Sequence, residues 1–459
     1  MLTGTPLILA FLVTMVLLLV ILIKFKVSPI CSLIFASIFF GLVSGLPATS
    51  ISSAITTGFG NTMASLGLVL AFGTIFGIFL TQSGGTEELA KFLLRKFGPK
   101  KDFLAITLTG FIISIPVFFG AAYNMLTPLT NTLSQMTRKK ISGYACALFT
   151  GLIITHCMVP PTPGPVAVAG VLGADIGFII LYGCVAGIVA TLIVGWGYAN
   201  YLGRSVGEVY RAPGEERAEI VQKMVDDHML DRNPANPSAG LVIFLILLPA
   251  VMIMIGTFLG VLAPEGTVSG ILQFLGQATI ALFIAMILTG VVLGKYLKDK
   301  GTLWSRIESL ADQTGNILLI VGAGGCFGQV ITETGMADTL VEIMQAGNIP
   351  MIPLCFLLAI ILRACIGSAT VAVLTSANIA GLAAVTMGYS PTIITLAICA
   401  GAVGLAMPTD GGFWIAVRGN NLDMKTALQS ITIPTTIASL IALAVIMVLN
   451  MFQGTLPGI

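Results

Sequence analysis

Long uncharged apolar stretches follow one another along the whole chain, separated by short polar segments. Residues 7–23, 30–46, 179–194 and 241–261 approach or exceed the roughly 20 residues that an α-helix needs to cross a hydrocarbon core. The stretch 243–254 is apolar on every face, whereas strands of a membrane barrel alternate apolar and polar positions. The pattern therefore predicts an all-α polytopic membrane protein.

Composition points the same way. Charged residues make up 9% of the 459 residues and hydrophobic residues 56%, whereas soluble domains carry about 25% charged residues. The net charge of +2 and the lack of a dense Lys/Arg run give no indication of a nucleic-acid partner. The eight cysteines show no metal-ligand spacing, so the sequence predicts neither a metal site nor a cofactor.

The basic residues fix a membrane topology. If the N-terminus lies outside, all of the 22 lysines and arginines except Arg363 fall on one side, which the positive-inside rule makes cytoplasmic. Both termini are then periplasmic or extracellular. Segments 103–136 and 350–386 remain as re-entrant hairpins, the first entering from the cytoplasm and the second from outside. The predicted spans are 7–24, 28–47, 63–82, 141–172, 177–203, 239–262, 271–294, 313–332, 391–417 and 430–450.

Short motifs recur at corresponding places in the two halves of the chain. The sequence Gly-Ala-Ala at 120–122 aligns with Gly-Ser-Ala at 367–369, and 161–164 aligns with 408–411 at the same offset. Two inverted-topology repeats follow, each with about five transmembrane helices, one of them broken, and one hairpin. The predicted organisation is a first membrane repeat at 1–203, a cytoplasmic linker at 204–238 and a second membrane repeat at 239–459, with the broken helices at 141–172 and 391–417.

Four prolines fall within residues 160–165, and no continuous helix survives there, because proline lacks an N–H and clashes with the preceding turn. Inside a membrane, irregular backbone is tolerated only where it is buried or lines a cavity. The alternative is a loop at the membrane surface. Together with the break at 408–412 and the two hairpin tips, this break predicts one midplane site, where helix N-termini and free amides can bind an anion.

Arg363 lies near the tip of an apolar hairpin, where a charge costs about 2.5–3.5 kcal/mol on insertion scales. Its forked guanidinium fits a substrate carboxylate. The alternatives are a structural pair with Asp410 or a backbone carbonyl, or a side chain that snorkels to the membrane surface.

Asp410 is the acid placed deep in a broken helix, and a desolvated carboxylate there is a candidate for carrying a proton. Its alternative role, compatible with the first, is to cap the helix that starts at Gly411. His156, four residues before Pro160, is either a proton relay or a hydrogen-bonded helix residue.

Further candidates for substrate contacts lie at the hairpin tips and helix breaks. Polar side chains there can hydrogen-bond substrate hydroxyls, although Ser and Thr in membrane helices more often bond their own backbone. The candidates are Gly120, Tyr123, Asn124, Pro161, Thr162, Gly164, Gly367, Ser368, Ala369, Thr370, Thr409 and Gly411.

Along most of its length the chain resembles the gluconate permease family of the ion transporter superfamily. The resemblance rests on His156 with 160–167, on Arg363 with 367–372, and on Asp410 with 412–414. It implies proton-driven uptake of a gluconate-like sugar acid, a hydroxycarboxylate or D-serine across a bacterial inner membrane. It also implies a homodimer, elevator-like movement of the hairpin domain, and a site in which Arg363 and Asp410 are the charged residues.

The sequence departs from this family at two positions of the predicted site. Gly120 stands where the gluconate transporters carry an acidic residue, and Thr162 where relatives often have histidine. Gluconate itself therefore does not follow from the resemblance.

A cation/proton antiporter is the main alternative function, but a pair of buried acids would be expected for it. A channel or scaffold would need neither the charged hairpin tip nor the paired breaks. The predicted protein is a transporter and not an enzyme.

Overall fold

The structure is a computed structural model that describes residues 1–25, 27–98, 100–210, 233–262, 266–297, 300–336, 339 and 350–459. Every regular element among these residues is helical, as the apolar pattern predicts. Of the linker predicted at 204–238, residues 211–232 lie outside the described residues.

The helices of the first half follow one another closely along the chain, and several are separated only by short non-helical segments. A π-helical segment, Thr191–Tyr198, continues α9 into α10. In chain order they are α1 (Thr5–Ile23), α2 (Pro29–Ser44), α3 (Ala48–Gln82), α4 (Gly85–Phe97), α5 (Asp102–Ile113), α6 (Phe119–Thr137), α7 (Ile141–Met158), α8 (Pro163–Leu172), α9 (Ile176–Ala190) and α10 (Ala199–Ser205).

The second half has the same mixture of continuous and interrupted helices. Its π-helical segments are Ala377–Gly381 and Leu428–Thr432, and a 3₁₀ turn covers Gly294–Tyr296. The helices described there are α11 (Ala239–Leu262), α12 (Thr267–Leu275), α13 (Ala278–Leu293), α14 (Lys300–Glu333), α15 (Met351–Ile366), α16 (Ala369–Ser376), α17 (Leu382–Thr386), α18 (Pro391–Val403), α19 (Gly411–Gly419), α20 (Met424–Ala427) and α21 (Ile433–Asn450).

Helix starts follow from local chemistry. Pro163 and Pro391 occupy the first positions of α8 and α18, where a missing N–H costs nothing and the fixed φ suits a helix. Asp175 caps α9 by accepting the N–H groups of Gly177 and Phe178. These signals divide the apolar sequence into separate helices and leave short non-helical breaks between them.

Two predicted spans differ in extent from the helices. Helix α3 begins at Ala48, because residues 48–62 contain no proline or charge that would end a helix, and the span predicted at 63–82 corresponds to its second part, Gly67–Gln82, after a bend of 44°. The span predicted at 271–294 is divided into α12 and α13, since α12 ends at Leu275 with Gly276 as its C-cap. Serine, threonine and glycine make residues 48–62 less hydrophobic, so the hydrophobic pattern alone does not predict that the helix starts at Ala48.

Six helices within the described ranges are long and apolar enough to cross a membrane, and a seventh is added if the bent pair Ala48–Ala64 and Gly67–Gln82 forms one span. Five of the six coincide with predicted spans, and the sixth, Ala369–Thr386, lies within the predicted hairpin 350–386. Other predicted spans correspond to apolar helices of 10–17 residues, such as Ile30–Ser44 and Pro391–Val403. An α-helix of 16 residues extends about 24 Å, which is shorter than a hydrocarbon core of about 30 Å.

The interrupted helix formed by α7 and α8 lies at the centre of the molecule. In its most apolar window 94% of the residues are buried, compared with 33% in Ala278–Tyr296 and 44% in Met424–Asn450. Helix α7 packs against α5, α6, α9 and α18. A break in this helix is therefore surrounded by protein.

Candidate functional site

Arg363 is buried in the last turn of α15, and its guanidinium donates hydrogen bonds to three protein acceptors. Its side chain is 2% exposed. Nε donates to the carbonyl of Ala402 at 3.1 Å, Nη1 donates to the carbonyl of Gly367 at 2.5 Å, and Nη2 donates to Oδ2 of Asp410. Arg363 does not snorkel to the surface, and it makes both structural contacts that were the alternatives to substrate binding.

Asp410 divides its two carboxylate oxygens between two partners. The residue is 8% exposed and stands at the N-cap of α19. Its Oδ1 accepts the N–H of Gly412 at 2.8 Å, and its Oδ2 accepts Nη2 of Arg363. The helix-capping role predicted as an alternative is present. Capping satisfies one of the N–H groups that a helix start leaves without an intrahelical acceptor.

The break after α15 touches the break before α19. Gly367 has φ +77, and a side chain there would overlap the carbonyl of Thr409. Glycine is therefore required both by the backbone conformation and by the close approach of the two segments. Thr409 adds a hydrogen bond from Oγ1 to the carbonyl of Ala364 at 2.8 Å. Arg363 and Asp410 are thus joined through backbone and side chain.

The proline-rich break between α7 and α8 faces the tip of the first predicted hairpin. Pro161, Thr162 and Gly164 are all buried, and Oγ1 of Thr162 donates to the carbonyl of Val159 at 2.7 Å. A cavity of about 20 Å³ separates the two segments, lined by Gly73, Thr74, Ile115, Pro116, Val117, Phe118, Pro161, Thr162 and Pro163. That volume holds about one water molecule.

Contacts between the halves bring the four segments together. Sγ of Cys157 donates to the carbonyl of Ala402 at 3.6 Å, the same carbonyl that accepts Nε of Arg363. A side chain at Gly412 would meet the ring of Phe119 at 2.7 Å. The two breaks and the two tips are therefore neighbours around the Arg363–Asp410 pair.

His156 lies in the last turn of α7, beside the tip of the first predicted hairpin. The centroid of its ring is 6.5 Å from the rings of Phe118 and Phe119. Its Nδ1 is buried, with no hydrogen-bond partner among the described residues. A buried polar atom without a partner is costly in a static protein and often marks a functional position.

The remaining candidates fall into two groups. Ser368 caps α16 by accepting the N–H of Val371 at 3.4 Å, with Ala369 and Thr370 half-buried in the first turn. Gly120 is half-buried beside Ile415. In contrast, Asn124, Thr409 and Gly411 are exposed, and Tyr123 is buried with its hydroxyl bonded to Asn420.

Asn420 organises a buried polar cluster that the sequence analysis did not identify. Tyr123 donates to Oδ1 of Asn420 at 2.6 Å, and Nδ2 of Asn420 donates to Asn131 at 2.6 Å and to Thr130 at 3.3 Å. Nδ2 of Asn131 donates to the carbonyl of Gly419 at 2.9 Å. The cluster joins α6 to the end of α19. A single sequence offers no signal for it, because neutral polar residues recur throughout these helices.

A second cluster closes the base of the first predicted hairpin. Asp102 is 1% exposed and accepts Nζ of Lys139 at 2.7 and 2.8 Å and the hydroxyl of Tyr144 at 2.5 Å. Lys139 also lies over the ring of Phe103, 4.9 Å from its centroid. These contacts hold the start of α5 beside the start of α7. From the sequence, Lys139 is predicted only to face the cytoplasm.

Solved structures of membrane transporters share this fold. The Alcanivorax borkumensis YdaH transporter superposes with a TM-score of 0.60 at 17% identity, over 89% of this chain and 90% of that one. Neisseria gonorrhoeae MtrF superposes with a TM-score of 0.63 at 16% identity, over 87% and 83%. At such low identity the likeness supports the fold alone.

Relatives at higher identity match nearly the whole chain. The inner membrane permease YgbN of Escherichia coli is 34% identical, over 92% of this chain and 93% of its own. The D-serine transporter DsdX of Escherichia coli is 34% identical, over 94% and 96%, and the gluconate permease of Pseudomonas aeruginosa is 32% identical, over 96% of each. The model of the GntP family permeases matches residues 6–452. These matches confirm the family predicted from the motifs: the chain belongs to the GntP family of permeases, which are transporters and not enzymes.

Proposed function

We propose that this permease takes up a small hydroxylated organic anion together with protons. The substrate class is a gluconate-like sugar acid, a hydroxycarboxylate or D-serine, in keeping with the relatives named for gluconate and D-serine. The observation that carries the proposal is the buried Arg363–Asp410 pair between two helix breaks. A forked guanidinium in a dry site is suited to a carboxylate, and a nearby acid is suited to a proton.

The proposed site surrounds this pair. The starts of α16 and α19 supply N–H groups and the positive ends of helix dipoles, both of which favour an anion. Asp410 and His156 are the proposed proton-coupling residues, and Arg363 binds the substrate carboxylate. The other proposed substrate contacts are Gly120, Tyr123, Asn124, Pro161, Thr162, Gly164, Gly367, Ser368, Ala369, Thr370, Thr409 and Gly411.

The proposed architecture is a homodimer in a bacterial inner membrane, with both termini outside and two inverted repeats. In it, 103–136 and 350–386 are re-entrant hairpins. The cavity of about 20 Å³ beside the proline-rich break is too small for a sugar acid, so a sugar acid can enter there only if the segments around it move. Alternating access by movement of the hairpin domain meets this requirement.

The test is uptake into proteoliposomes that contain the purified protein. Gluconate, D-serine and other hydroxycarboxylates are supplied as radiolabelled probes under an inward proton gradient. Accumulation that collapses with the gradient is expected. Sodium/proton exchange without any organic substrate would instead establish the antiporter alternative.

Arg363→Ala is expected to reduce uptake by about 30-fold or more, because truncating one partner of a buried charge pair costs about 2–5 kcal/mol. Arg363→Lys should recover only part of it, since lysine keeps the charge but not the fork. Arg418→Ala is the matched control, because Arg418 is exposed on α19. Equal uptake by Arg363→Ala and Arg418→Ala would remove Arg363 from the site.

A further inference from the structure

The two oxygens of Asp410 are separable in function. Oδ1 accepts the Gly412 N–H and so caps α19, while Oδ2 faces Nη2 of Arg363. A proton placed on Oδ2 leaves Oδ1 as an acceptor. Protonation of Asp410 can therefore release Arg363 without removing the cap of α19.

Asp410 holds the nitrogen that a substrate carboxylate would use. Nη2 of Arg363 bonds Asp410, whereas Nη1 and Nε bond the carbonyls of Gly367 and Ala402. Bidentate hydrogen bonding to a carboxylate uses two of these nitrogens. Substrate and Asp410 therefore compete for the same guanidinium, and the bound aspartate has the chemistry of the proposed substrate.

The charge on Asp410 determines the free-energy cost when a substrate carboxylate displaces it from Arg363. If Asp410 stayed ionised, a buried anion would lose its partner, which is strongly destabilising. If Asp410 takes up a proton, the site contains one guanidinium, one substrate carboxylate and one neutral acid. For a hydroxy-acid anion such as gluconate, its net charge then equals that of the empty site, whereas the ammonium group of D-serine adds one positive charge. A carrier whose empty and loaded sites are both neutral avoids moving a net charge through hydrocarbon.

We propose that the substrate carboxylate and a proton exchange places at Arg363, a step that rests on the proposed function. The incoming carboxylate takes Nη2 of Arg363, and one proton from solution forms an O–H bond at Oδ2 of Asp410. On release the proton leaves Oδ2, and Asp410 binds Arg363 again. Uptake of substrate without a proton is disfavoured because it would leave Asp410 charged and unpaired.

Among the side chains that the structure describes, few other titratable groups face the pair. Helix α15 contributes Arg363, and α7 contributes Cys157, which interacts electrostatically with both members of the pair, and His156, which interacts with Arg363. On its own helix, Asp410 is two turns from the exposed Arg418. His156 is thus the rival acceptor for the proton, and the experiment must separate it from Asp410.

The first measurement uses the wild-type protein alone. Gluconate and D-serine are added to purified protein in weakly buffered detergent solution, with a pH indicator and a parallel binding assay. The expected result is about one proton taken up per molecule bound, with affinity that weakens by up to about tenfold per pH unit as the pH rises. Binding without proton uptake overturns the exchange but leaves transport intact. No binding of any probe overturns the proposed function and the exchange together.

The second measurement assigns the proton. Asp410→Asn and Asp410→Ser both keep a capping oxygen, and serine also avoids placing an amide donor against Arg363. Both should bind the probe with no proton uptake and with an affinity that does not change with pH. Asp175→Ser, at the N-cap of α9, is the matched control and should retain proton uptake. Uptake that persists in Asp410→Ser, or that is lost in His156→Gln, overturns the assignment to Asp410.

Discussion

Single residues decide how closely the two halves of the site approach one another. Gly367 stands four residues after Arg363, so its left-handed conformation ends α15 and turns its own carbonyl toward the guanidinium. Gly412 leaves room for the ring of Phe119 from the other half. At both positions the missing side chain is what allows a backbone or a ring to close on the charged pair.

Gly367→Ala is expected to destabilise the protein more than a change of conformation alone would. A left-handed non-glycine residue costs about 1–2 kcal/mol, and here the new methyl also overlaps the Thr409 carbonyl. Gly388→Ala is the control, because Gly388 has φ +90 with nothing within 4 Å of the added carbon. Apparent melting temperatures in detergent should fall further for Gly367→Ala. Equal shifts for both variants would mean that the two breaks are not in contact.

At the level of elements, α6 and α19 are tied together by side chains from distant parts of the sequence. Oδ1 of Asn420 accepts a hydrogen bond from the Tyr123 hydroxyl, and Nδ2 of Asn420 donates to Asn131 and Thr130. All of these groups are buried, so each would be costly to leave without a partner. The cluster therefore joins α6 and α19 into a single mechanical unit.

Tyr123→Phe and Asn420→Leu test this unit as a double-mutant cycle. Each single change should cost about 1–3 kcal/mol, because it leaves a buried partner unsatisfied. The double variant should lose less than the sum, by about 0.5–3 kcal/mol, because the shared bond can be lost only once. Unfolding in mixed micelles measures the three values. Thr132→Ala is the control, because Thr132 is half-buried on α6 and its hydroxyl donates only to the carbonyl of Pro128 in the same helix. Its loss should stay within about 0.5 kcal/mol, and strictly additive losses in the cycle would argue against the Tyr123–Asn420 bond.

For the whole molecule, the sequence predicted the features that depend on rare residues. A charge or a proline cluster in apolar sequence is so unusual that Arg363, Asp410 and residues 160–165 mark the helix breaks without a structure. The Asn420 cluster could not be found that way, because its members are common polar residues paired over most of the chain length. The start of α3 at Ala48 was missed because its serines and threonines bond the helix backbone, as Thr56 does, and look like loop residues.

The predicted inverted arrangement of the two halves puts the bases of the two predicted hairpins on opposite sides of the membrane, and cysteine labelling can test this. The positive-inside rule puts the base of 103–136 in the cytoplasm, beside Lys100, and the base of 350–386 outside, beside Thr386. Both residues are exposed. In a cysteine-free background, Thr386→Cys should react with a membrane-impermeant maleimide in cells with a permeabilised outer membrane. Lys100→Cys should react only after the inner membrane is opened. Labelling of both positions from the same side would show that the repeats are parallel, and Arg363 and Asp410 would then need a different route to each face of the membrane.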